Sequence, residues 1–210
     1  MNIKSIERVQ EYAEVFTSKK DVLDVLSLVQ HECKRIDSRF LEPACGTGNF
    51  LVEILNFKLD LTLRVFGKNQ LDYERNSILS LSTLYGIDIL ADNVNECRQY
   101  LLKIFEDKYL KKYKKKCKAE YINSASYILS KNIIWGDALT YRTPNQISSP
   151  LVFTEWSFVN STMIQQREFV LSQLFYEEEN NYDLPGHENF IPMPTKISNL
   201  VHFLKLKEND

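Results

Sequence analysis

The spacing of apolar positions changes several times along this chain, and each change marks an element. From Asp21 to Cys33 (DVLDVLSLVQHEC) the apolar residues are Val22, Leu23, Val25, Leu26 and Val29, a helical period, with Ser18 or Asp21 placed to cap the start. Upstream, Ile6 to Tyr12 predicts a short helix or arm. Arg39 to Leu41 predicts a short strand, and Asn49 to Leu59 a helix whose apolar face is Phe50, Leu51, Ile54 and Leu55. A second strand is predicted at Thr83 to Leu90 (TLYGIDIL). Asp92 then opens a helix running through Val94, Cys97, Leu101, Leu102 and Phe105. KNIIWGDAL (131–139) contains a third strand, and PLVFTEWSFV (150–159) alternates like a fourth. Arg167 to Tyr176 predicts a short helix. From Glu177 the chain is polar, with Pro185, Pro192 and Pro194, and predicts loop until Ile197 to Leu206. No internal repeat is visible. Strand and helix alternate from residue 39 to about 176, so the expected class is α/β with a parallel sheet.

Composition narrows the partners. With 210 residues, 44% of them apolar, the chain can bury one real core. The net charge of -2 is not that of a protein basic throughout. The basic residues cluster locally instead, in DKYLKKYKKKCKAEY: Lys108, Lys111, Lys112, Lys114, Lys115, Lys116 and Lys118, interleaved with Tyr109, Tyr113 and Tyr121. Such a block is either a solvated helix end or a phosphate-backbone contact. Cys33, Cys45, Cys97 and Cys117 include no C-x-x-C pair, and His31, His187 and His202 show no ligand spacing. No apolar run approaches the ~20 residues of a membrane span, and MNIKSIERVQEYAEVF lacks the apolar stretch of a signal peptide. A cytoplasmic location is the expectation.

The candidate chemistry centres on FLEPACGTGNFLVEIL (40–55), a strand, a glycine turn and a helix. Glycines there let a ligand approach the backbone, and the helix amides point at it. A phosphate-cradling loop needs G-x-x-x-x-G-K-[ST], which is absent. A dinucleotide site needs G-x-G-x-x-G; Gly46 and Gly48 supply two glycines, but Leu51 takes the third place.

EPACGTGNF (42–50) closely resembles motif I of S-adenosylmethionine-dependent methyltransferases, in the form found in adenine-specific DNA methyltransferases. AEVFTSKKDVLDVL (13–26) is similar to their N-terminal segment at the methionine end of the cofactor, with Ala13 and Ser18 where the family has Gly and Pro. YGIDIL (85–90) resembles motif II and WGDAL (135–139) motif III, and all occur in family order. The resemblance spans residues 7 to 176 and implies a doubly wound class I methyltransferase (Rossmann-like) sheet, cut short after the fourth strand. It divides the chain into an N-terminal arm (1–35), a cofactor-binding core (36–176) and a C-terminal tail (177–210) that could dock a partner.

The resemblance also assigns roles. Glu42 lies near the ammonium and sulfonium of the cofactor, and Thr17 near its carboxylate. Pro43, Ala44, Cys45, Gly46, Gly48, Asn49 and Phe50 form the turn. Asp88 accepts the ribose hydroxyls and Ile89 packs on the adenine. Asp137 accepts from the adenine amino group, and Ala138 and Leu139 wall the ring. The residues themselves also allow plainer parts: a cap or turn for Asp88 and Asp137, a salt bridge for Glu42, a tight-turn filler for Cys45, core for Trp135.

Adenine-N6 enzymes carry (N/D)-P-P-Y after the fourth strand, to hold the target amino group and stack the flipped base. No Pro-Pro pair occurs in this chain. The candidate replacements are Glu155 as acceptor and Trp156 as stacking surface; a buried aromatic is the competing reading of Trp156. The implied function is therefore a DNA adenine-N6 methyltransferase of a restriction-modification or defence system. It would contact DNA phosphates through Lys111, Lys112, Lys114, Lys115 and Lys116, with a restriction or specificity subunit as partner. The alternative is a non-catalytic cofactor-binding subunit that needs a partner chain. No metal is implied.

Overall fold

The computed structural model describes residues 8, 17–175 and 192–207. Apart from Arg8, the arm at Ile6 to Tyr12 lies outside them, as do Ala13 to Phe16 and, of the proposed docking tail, 177–191 and 208–210; its Phe203 and Leu206 are buried in this chain's own helical core.

Helix α1 (Lys19–Leu28) starts at Ser18, whose side-chain oxygen accepts from the Asp21 amide, so Ser18 is the cap. Only Val22 and Leu26 of its apolar positions are buried. A short α2 (Gln30–Cys33) follows. Strand β1 (Phe40–Glu42) leads through the glycine turn into α3 (Asn49–Phe66), which buries Leu51, Ile54, Leu55 and Leu59 and runs beyond the predicted end.

Helix α4 (Gln70–Ser82) has no counterpart in the apolar pattern, because most of what it buries is polar. Glu74, Asn76, Ser77, Ser80 and Ser82 are inside, and the chain start is fixed by Asn69, whose Oδ1 accepts from the Leu71 and Asp72 amides. Strand β2 (Leu84–Asp88), helix α5 (Ala91–Tyr113), helix α6 (Ala119–Asn132) and strand β3 (Ile133–Trp135) complete the first unit.

The strands β1, β2 and β3 lie side by side in that order, all parallel, with Phe40 opposite Leu84 and Asp88 opposite Trp135. Each crossover is a pair of helices. Alternation along β2 separates two cores. Leu84 packs with Leu51, Leu55, Leu101 and Leu129 of the helices. Tyr85 and Ile87 point the other way and pack with Leu151, Phe153 and Leu171. Helices therefore close one face of the sheet.

What closes the other face departs from expectation. The predicted fourth strand is real, as β4 (Val152–Phe158), but it does not join the parallel sheet. It forms an antiparallel hairpin with β5 (Met163–Val170), and β6 (Lys196–Ile197) and β7 (Val201–His202) pair with β5. The hairpin turn is fixed by Asn160, whose Oδ1 accepts from the Thr162 and Met163 amides. The helix predicted from Arg167 is instead strand to Val170 and helix only over α7 (Leu171–Phe175). Cross-strand pairing explains this: Arg167 stands opposite Glu155 and Phe169 opposite Phe153. Among the described residues the second face is thus covered by the hairpin and the start of the short α7, not by crossover helices as in a doubly wound fold.

Candidate functional site

Three carboxylates stand at the same end of the parallel sheet. Glu42 ends β1, Asp88 ends β2, and Asp137 follows β3 by two residues. The carboxyl ends of parallel strands are where open α/β sheets bind ligands. The turn after β1 is held against β2 by the Cys45 amide, which donates to the Ile87 carbonyl at 2.8 Å.

Two glycines shape that turn for different reasons. Both adopt the left-handed conformation, Gly46 at φ 52° and Gly48 at φ 95°. A Cβ on Gly48 would lie 2.6 Å from Cys97 Sγ, so Gly48 lets α3 and α5 approach. A Cβ on Gly46 would meet no atom within 4 Å. Gly46 therefore borders open space, as a ligand cradle requires. Helix α3 starts there without a side-chain cap, leaving first-turn amides to face the same space.

Asp88 is buried, and protein donors hold it. The Gly46 amide donates to Oδ2 at 2.8 Å, while the Leu90 amide (2.9 Å) and Asn93 Nδ2 (3.3 Å) donate to Oδ1. A carboxylate offers about four acceptor sites, so roughly one is left for a ligand. Asn93 is buried and in turn accepts from Arg8 at 3.2 Å, and Arg8 pairs with Asp92 at 2.6 Å. Neither Asn93 nor Arg8 was marked by sequence. The available signal was the polar D-N pair at the start of α5, where an amphipathic pattern has no need to bury Asn.

Glu42 accepts from the Ala44 amide at 3.2 Å, and burial pushes its carboxyl above the usual carboxylate range. Thr17 sits beside the turn: its carbonyl accepts from Asn49 Nδ2 at 3.2 Å. Lys19 pairs with Glu53 at 2.9 Å, fixing the same arm to α3. Cys45 is buried; its contact with the Cys97 thiol, then burial, push its thiol up, so it stays protonated. Phe50 is half-buried against the helical core. Trp135 donates its indole N–H to the Ile89 carbonyl at 2.9 Å and so fixes the β2–α5 loop, leaving the Ile89 side chain exposed.

Asp137 organises its own turn. The Leu139 amide donates to Oδ1 at 2.8 Å and Thr140 Oγ1 to Oδ2 at 2.9 Å, and these bonds hold its carboxyl below the usual range. Ala138 packs on the second core, and Leu139 is 91% exposed.

Glu155 and Trp156 are not brought to this site. Glu155 pairs with Arg39, which precedes β1, and with Arg167 at 2.7 Å. Trp156 is buried and donates to Oδ1 of Asn132, which precedes β3, at 2.9 Å. Both therefore stand at the opposite end of the parallel strands from the glycine turn. The basic block is remote too. It follows the far end of α5, whose 23 residues span ~34 Å from the Asp88 loop. Lys111, Lys112, Lys114, Lys115 and Lys116 are exposed there or nearly so, while Lys108 pairs with Asp60 and Lys118 with Glu74.

Comparison with curated proteins gave no match, and comparison with solved structures gave none. A family model does match, described as "MmeI, DNA-methyltransferase domain", over residues 16–149. That match takes in the arm at Thr17, the glycine turn, Asp88 and Asp137, and stops just before β4. It covers well over half of the chain, which therefore belongs to the family of the MmeI DNA-methyltransferase domain, a family of restriction-modification DNA methyltransferases.

Proposed function

We propose that this chain is the cofactor-binding unit of an S-adenosylmethionine-dependent DNA methyltransferase of the adenine-N6 type, acting in the cytoplasm, and that a partner chain supplies the residues that hold the target amino group. The observation that carries the first part is the open space at Gly46, bordered by Asp88, Glu42 and the first amides of α3. The donor set fits the cofactor. When bound, S-adenosylmethionine supplies a methyl group on a sulfonium, which a base nitrogen can take by direct displacement.

The chain's own residues do the holding. The remaining acceptor site of Asp88 takes a ribose hydroxyl. Glu42 offers a half-buried carboxylate to the cationic end, where low local dielectric strengthens the attraction. The Asn49 side-chain amide, donating to the Thr17 carbonyl, places the arm beside the turn. Ile89, exposed beside Asp88, offers an apolar face to the adenine. Asp137 reaches the adenine amino group with lone pairs not used in its turn.

The second part rests on the placement of Glu155 and Trp156, both spent on structure at the other end of the sheet. A base held there cannot meet a methyl group held at Gly46. Among the described residues, the DNA-acceptor machinery is not at the turn. Labelled S-adenosylmethionine and duplex DNA test both parts. Binding of cofactor with methylation only when a restriction or specificity partner is added is the expected result. Methylation of adenine by the purified chain alone would refute the need for a partner.

A further inference from the structure

A cavity of about 520 Å³ opens beside β1, the edge strand of the parallel sheet among the described residues, and it shares no lining residue with the glycine turn, Asp88 or Asp137. That size is in the range of small-molecule sites. Its walls include Tyr85, Phe153 and Phe169, while Phe40 turns its ring to the helical core and under Lys58. Tyr85 and Phe153 meet edge to face with centroids 5.1 Å apart and form an aromatic corner in that wall.

The rim carries a charged triplet. Glu155 lies between Arg39 and Arg167, and each of its oxygens is engaged by one guanidinium. Two guanidiniums against one carboxylate leave one net positive charge. Arg39 keeps 62% of its side chain exposed, so its other donors are free to face a ligand. Arg167 Nε is buried and has no hydrogen-bond partner. An orphaned guanidinium donor beside aromatic walls is a costly arrangement for a purely structural cluster.

We propose that this cavity binds a planar heteroaromatic ring bearing a phosphate, with the ring against the aromatic walls and the phosphate on Arg39 and Arg167. Aromatic faces accept any base by stacking, and guanidinium forks match phosphate oxygens. The site is separate from the cofactor turn and does not depend on that assignment. The same chemistry comes from a free nucleotide or from a terminal nucleotide of a DNA strand.

Calorimetry with adenosine monophosphate, in the presence of saturating S-adenosylhomocysteine, tests the site. Saturable binding is expected, weakened about tenfold both by Arg39→Gln and by Phe169→Leu. Arg39 is exposed enough that its variant keeps the fold, which a thermal melt checks, so it decides the matter if Phe169→Leu unfolds. A short single strand with a 5′ phosphate, titrated in parallel, assigns the source by binding more tightly or more weakly than the free nucleotide. No saturable binding in the presence of S-adenosylhomocysteine, or binding indifferent to Arg39→Gln, would overturn the proposal.

Discussion

Lys58 shows how one buried side chain sets a measurable property. It is fully buried on α3, and its ammonium donates to the Ile36 carbonyl, the Ser38 carbonyl (2.6 Å) and Thr83 Oγ1 (2.9 Å). Burial pushes its pKa down to about 8. The unfolded value is about 10.4. Below pH 8 both states are charged and the folded state bears the full desolvation cost. Between about pH 8 and pH 10 the unfolded chain holds more protons, so stability rises with pH. Over the same range the Cys33 and Cys45 thiols, raised in the folded state, work the other way, so the effect of Lys58 is read as a difference: in denaturant melts the stability of the natural chain relative to Lys58→Met should rise from about pH 8 to pH 10. Asp88 gives a second test at this scale. It holds two backbone amides as well as Asn93, so Asp88→Ala should lower stability by ~1–3 kcal/mol in thermal melts even without cofactor.

At the scale of elements, the junction between the two sheets hangs on Asn132 at the end of α6. Its Nδ2 donates to the Ser82 carbonyl at 3.0 Å and the Leu84 carbonyl at 3.1 Å, and its Oδ1 takes the Trp156 indole. Asn132→Ala should cost ~2–4 kcal/mol, because it strands three buried groups at once; urea unfolding measures it. The same scale shows what the chain made legible. Strands β1 to β3 and the glycine turn follow from short apolar runs ending in glycine and acidic residues. Helix α4 was hidden because Glu74, Asn76, Ser77 and Ser80 face inward, and Glu74, Asn76 and Ser80 make hydrogen bonds that a hydrophobic period cannot reveal. Strand β5 was hidden because its centre is charged, and Arg167 is matched only by Glu155 across the hairpin. Alternation marked β4 correctly as a strand, but carries no information about which sheet it joins. The carriers of Asp88's orientation, Asn93 and Arg8, are long-range contacts of the same kind.

For the whole molecule, the candidate groups divide between the ends of the parallel sheet. The carboxyl ends gather Glu42, Gly46 and Asp88, while Arg39, Glu155 and the lysine block stand away from them. Replacing Lys111, Lys112, Lys115 and Lys116 by Gln should leave cofactor affinity within about twofold, since ~34 Å of helix far exceeds the ~8–10 Å screening length. The central claim is that the glycine turn is a cofactor cradle, and the most direct measurement is calorimetric titration of S-adenosylmethionine into the natural chain and into Gly46→Ala. The added methyl group strains a left-handed residue by ~1–2 kcal/mol but projects into the open space, not into protein. The account predicts saturable binding by the natural chain and at least tenfold weaker binding by Gly46→Ala with the fold retained. Equal affinity in the two folded proteins would place the cofactor elsewhere and contradict the account.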